Sequence, residues 1–150
     1  MRVPPLVNYW MPAIAWMILI FVGSTDVLSA EHTSRFLVPF LRWIDPSISA
    51  AQLGKVQYFI RKCGHLSEYA VLGLLAWNAR CRMGGAERKT FRECAKFALV
   101  LAAFYAATDE FHQSFVPGRE AAVLDVLIDT CGAAIGLALL WGLGRLRKVW

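Results

Sequence analysis

The residues able to do chemistry crowd into one stretch and recur in two others. Ala107-Thr108-Asp109-Glu110-Phe111-His112-Gln113 sets two carboxylates, an imidazole and an amide at the end of an apolar run that begins at Phe97, and Val116-Pro117-Gly118-Arg119 adds a guanidinium at the following turn. Upstream, Lys62, His65, Glu68 and Tyr69 share one helical face; downstream, Asp125 and Asp129 stand one turn apart. His65, Glu68, Asp109 and His112 offer nitrogen and oxygen ligands to a divalent metal, with His-x-x-Glu and Asp-x-x-His each placing a pair on a single face. A metal there could activate water against a phosphate or amide held by Lys62 and Arg119, with His65 or His112 as acid or base. Neither a His-Glu-x-x-His motif nor a Gly-x-Ser-x-Gly turn is present to strengthen that chemistry.

Two gentler roles fit the same residues. Lys62 and Arg119 could hold an anionic ligand in a pocket lined by Tyr69, Glu110, Gln113, Asp125 and Asp129, with no bond broken. The groups could also only neutralise one another: His65 with Glu68 or Tyr69, Asp109 with Arg119, and Asp125 or Asp129 with Lys62.

The elements that must position these side chains are membrane helices. The chain has 150 residues, 57% hydrophobic and 18% charged, with a mean hydropathy of +0.46, more apolar than an ordinary soluble domain. Its net charge of +5 comes from basic residues set between apolar runs, which argues for topology and lipid headgroups and against nucleic acid. Cys63, Cys81, Cys94 and Cys131 have neither zinc spacing nor a secreted framework, so small buried hydrophobes are expected and no disulfide. No strand-like alternation or internal repeat competes with helices.

The spacing predicts four spans, at 10–28, 60–79, 97–116 and 121–143. A signal peptide ending at Leu28-Ser29-Ala30 is the alternative for the first, disfavoured by its long apolar stretch and single Arg2. Between spans one and two, Ser34 to Ile44 mixes aromatic side chains with Arg35 and Arg42, as a short interfacial helix does. Asp45-Pro46 ends it, Ser47 or Ser49 caps the next helix, and Gln52 to Arg61 should run straight into span two. The fold class is therefore all-α, a four-helix transmembrane bundle with one interfacial helix. The densest basic cluster, Arg80 to Lys96, marks the cytoplasmic side and puts both termini there. Counted from that side at about 1.5 Å per residue, Glu68, His65, Asp109, His112 and Asp129 all fall roughly 16–22 Å deep, in the outer half of the bilayer. Groups this costly should turn away from lipid, making one pocket between spans two, three and four. Gly132-x-x-x-Gly136 could let another helix approach closely, a spacing that dimers also use.

Lys62-x-x-His65-x-x-Glu68-Tyr69-x-x-Leu72-Gly73, Thr108-Asp109-Glu110-x-His112-Gln113, Val116-Pro117-Gly118-Arg119 and Leu124-Asp125-x-x-x-Asp129-x-x-Gly132, in that order, resemble the VanZ-like family, small bacterial membrane proteins named for a teicoplanin-resistance determinant. Asp129 stands where many members have asparagine. The resemblance implies a four-helix protein of the bacterial cytoplasmic membrane, linked to envelope physiology or antibiotic (glycopeptide) resistance, and supplies no reaction. Membrane lipids, a cell-wall lipid precursor or a lipoglycopeptide are the expected partners. An intramembrane metal-assisted hydrolase or transferase acting on a lipid-linked substrate is the alternative.

Overall fold

A computed structural model describes residues 5–25, 30–83, 89–116 and 122–148. Among these the chain forms five helices and no strand: α1 Pro5–Gly23, α2 Ala30–Ile44, α3 Ala50–Arg82, α4 Phe91–Gln113 and α5 Val123–Leu146. The helix limits agree with the sequence-based spans to within a turn or two, and the expected continuity of residues 52–61 with span two is met by α3. That helix starts at a reciprocal cap. Ser49 Oγ accepts from the Gln52 backbone N–H at 3.3 Å, while Gln52 Oε1 accepts from the Ser49 N–H at 2.8 Å. Thr90 and Glu93 begin α4 in the same way. Ahead of α3, Asp45 closes α2 by accepting from the Ser47 N–H and hydroxyl.

At 33 residues, α3 is the central element and packs against all four other helices. Its closest approach is to α5, and small residues make that approach feasible. A Cβ on Gly132 would lie 2.3 Å from the Leu66 carbonyl oxygen, and one on Gly136 would lie 2.8 Å from that of Ala70. The Gly132-x-x-x-Gly136 pair is thus spent on α3 of the same chain. The close helix approach expected of this pair is made, and α3 is the helix that makes it.

The inner surface changes character along the bundle. Ala98, Ala102 and Ala106 are buried at four-residue spacing on α4, and the same face continues into Asp109, Glu110 and Gln113. On α5 the stripe Leu137, Gly136, Ala133, Gly132 leads to Asp129; on α3, Ala76, Gly73, Leu72 and Tyr69 lead to His65. Because α4 runs opposite to α3 and α5, all three polar ends meet at the same end. Large apolar side chains point outward instead, with Phe104 and Phe111 each 69% exposed and Val100 70%. On α2, Phe36, Phe40, Trp43 and Ile44 are likewise exposed.

By length and composition, Val123–Leu146 is a helix able to cross a membrane, with a mean hydropathy of 2.0, and Val7–Gly23 is a shorter apolar helix. Two cysteine expectations are corrected. Cys81 and Cys94 form a disulfide with Cα atoms 5.6 Å apart, because the end of α3 and the start of α4 lie side by side, a closeness that their spacing of 13 residues does not encode. Cys63 and Cys131 are free and exposed.

Candidate functional site

The polar site is built where α3, α4 and α5 lose their small-residue stripes. Asp129, from α5, is 0% exposed, and its Oδ1 lies 3.6 Å from Nδ1 of His65 on α3. From α4, Asp109 is 2% exposed and Glu110 5%. Tyr69, one turn along from His65, is fully buried and within electrostatic reach of Asp109, Asp129 and Glu110. His65 in turn feels the charges of Asp129, Glu68 and Asp109. Of the candidate residues, His65, Tyr69, Asp109, Glu110 and Asp129 therefore lie together in the interior, with the carboxylates of Asp109, Glu110 and Asp129 buried.

Part of this polarity is satisfied inside the chain. Asp109 Oδ2 accepts from the Ser24 hydroxyl at 2.7 Å and from Gln113 Nε2 at 3.0 Å. Glu110 Oε2 accepts from the Ala122 backbone N–H at 3.0 Å, so a carboxylate of α4 caps the start of α5, which has no side-chain cap of its own. Lys62 is ion-paired with Asp125 and sits over the Tyr58 ring at 5.0 Å. Of the pairings open to Lys62 from the sequence, Asp125 is the one made.

The remainder is not satisfied. Asp109 Oδ1, Glu110 Oε1, both Asp129 carboxylate oxygens, His65 Nδ1 and the Tyr69 hydroxyl are buried without a hydrogen-bond partner among the described residues. Buried polar atoms are usually paired, and leaving one unpaired costs about 1–3 kcal/mol. Six belong to this one cluster, four of them carboxylate oxygens, and His65 Nδ1 and Asp129 Oδ1 face each other at 3.6 Å. Oxygen acceptors dominate it.

Three expectations change on this geometry. His112 turns its ring to Phe21 of α1, with centroids 4.3 Å apart, and its Nδ1 is buried without a hydrogen-bond partner among the described residues. No three His, Cys, Asp or Glu side chains among the described residues are grouped to hold a metal ion, so His65, Glu68, Asp109 and His112 do not form the expected ligand set. The pocket also takes a wall from span one. Ser24 is buried against Asp109 and Gln113, and the sequence signal for it was the Gly23-Ser24-Thr25 break in an otherwise apolar run. Glu68 is partly buried, and its carbonyl accepts from the Trp16 indole N–H at 2.8 Å. Tyr105 donates to the Met17 carbonyl at 2.5 Å, tying α4 to α1. Arg119, expected to reach back to Asp109, lies outside the described residues.

A family described as VanZ/LLP1 matches the chain over residues 9–145. No curated relative and no solved structure matches it. The match spans nearly the whole sequence, including α3, α4 and α5 with all their inward polar residues. The chain belongs to the VanZ/LLP1 family.

Proposed function

We propose that this VanZ/LLP1 protein is a binding protein of the bacterial cytoplasmic membrane, whose buried acidic site receives the headgroup of a lipid-linked cell-wall precursor or the sugar-bearing part of a lipoglycopeptide. In this arrangement α1, α3, α4 and α5 cross the bilayer, α2 lies at its outer surface, and both termini are cytoplasmic. The Cys81–Cys94 pair then sits at the cytoplasmic end, where the reducing compartment would hold it as two thiols. The exposed phenylalanines and buried carboxylates support immersion in lipid, since a water-soluble monomer rarely carries large apolar patches over a polar interior.

The observation that carries the binding role is the set of unpartnered acceptors on Asp109, Glu110 and Asp129. A guest rich in hydroxyl, amide or ammonium donors complements them, as a sugar-peptide headgroup does. A plain anionic lipid fits less well. Its phosphate would meet carboxylates, and Lys62, one of the two basic residues assigned to it, is already paired with Asp125.

One contact also favours a catalytic role. His65 beside Asp129 has the arrangement of an imidazole oriented by a carboxylate, which in a hydrolase or transferase acting on a lipid-linked substrate would move a proton. Such an enzyme would release a measurable product from the precursor, and a binding protein would return it intact.

The function is tested by survival under a lipoglycopeptide. Cells producing Asp129→Asn should lose the tolerance that the wild-type chain confers, with equal amounts of both proteins in the membrane fraction. Undiminished tolerance in that variant would remove the acidic site from the function.

A further inference from the structure

At the end of the bundle away from the acidic site, α4 and α5 part to leave a groove of about 410 Å³. Ala95 and Leu99 wall it on one side and Ala134 and Ala138 on the other, with Trp141 at its mouth and Arg92 and Lys96 on its rim. The cause is side-chain size. Ala134 and Ala138 stand one turn apart on α5 and are exposed, so nothing longer than a methyl group fills the space between the helices there.

The rim is positive. Arg92 and Lys96 are one turn apart on α4 and both exposed, and the Arg145 guanidinium lies 5.0 Å from the centre of the Trp141 ring. The Glu93 carboxylate, which accepts from the Thr90 N–H and hydroxyl at 2.8 and 2.9 Å, lies within electrostatic reach of Lys96, and the rim stays positive because Arg92, Lys96 and Arg145 outnumber that one carboxylate. An apolar slot under a basic rim and an aromatic ring matches a molecule with a hydrocarbon chain and an anionic head. A tryptophan at the slot mouth suits the headgroup level of a bilayer.

We infer that this groove holds one anionic phospholipid, its acyl chain between α4 and α5 and its phosphate between Arg92 and Lys96. The site is separate from the acidic pocket and rests only on the membrane placement proposed above. In that placement the rim faces the cytoplasmic leaflet, where anionic headgroups and basic residues attract.

The test is native mass spectrometry of the full chain, extracted from membranes in mild detergent and titrated with phosphatidylglycerol, with phosphatidylcholine of the same chain length, and with glycerol phosphate. One phosphatidylglycerol should bind in preference to phosphatidylcholine, and glycerol phosphate should not bind. Arg92→Gln/Lys96→Gln should weaken phosphatidylglycerol about thirtyfold, to the phosphatidylcholine level. Ala134→Leu should expel both lipids by filling the slot, and Ala138→Leu serves the same purpose should the first variant melt early. Equal binding of the two lipids, undiminished binding in both leucine variants, or binding of glycerol phosphate alone would overturn the inference. A chain recovered only in the soluble fraction would instead defeat the membrane placement.

Discussion

Asp109 and Asp129 were legible in the sequence because a carboxylate inside an apolar run has few reasons to be there. Ser24 was not, since the hydroxyl that satisfies Asp109 comes from 85 residues away and helical periodicity says nothing about which helix supplies a donor. For Lys62 the sequence left a ligand, Asp125 and Asp129 all open, and the fold chooses Asp125. Replacing Ser24 by alanine should therefore cost about 1–3 kcal/mol by removing a donor from a buried carboxylate, read as a lower melting temperature in detergent. Lys62→Met should destabilise the fold by leaving Asp125 uncompensated, and Lys62→Met/Asp125→Leu should recover much of the loss. A double variant no more stable than the single one would mean that the pair does not act as a unit.

At the scale of helices, the stripes of small residues were visible and their partners were not. Gly132 and Gly136 advertise a close approach, but only the folded chain reveals that α3 makes it. Gly132→Leu should break the α3–α5 seam, because its Cβ would collide with a backbone carbonyl that has no rotamer to change, and the protein should fail to melt cooperatively. Gly142, half-buried but with nothing within 4 Å of an added Cβ, should accept alanine without loss. The start of α4 carries a pH dependence. Hydrogen bonds from the Thr90 backbone and then its side chain hold Glu93 below its ordinary value of 4.5. A depressed carboxylate stabilises the fold above its unfolded value and ceases to do so as pH falls through the folded one. Amide protection in the first turn of α4, taken relative to intrinsic exchange at each pH, should therefore hold above pH 4.5 and fall as pH drops through the lowered value, and Thr90→Ala should abolish that change.

Taken whole, the molecule is arranged with its largest apolar side chains outside and its carboxylates inside, and this inversion connects composition to function. Composition pointed to lipid as the solvent, and charge between the apolar runs pointed to an orientation; neither could say that α1 closes the polar site. Reporter fusions at Gly84 and Gly118 should report opposite sides of the membrane, and identical reports would contradict four spans. The central claim is that buried, unpartnered acceptors on Asp109, Glu110 and Asp129 exist for a donor-rich guest. It is tested most directly by native mass spectrometry of the chain released gently from bacterial membranes. The wild type should carry a sugar-bearing lipid-linked species. Asp129→Asn, which sets an amide donor against the donors of the guest, should bind it about tenfold to a hundredfold more weakly at an unchanged melting temperature. Equal occupancy in wild type and variant, or a melting temperature that falls in step with the occupancy, would contradict it.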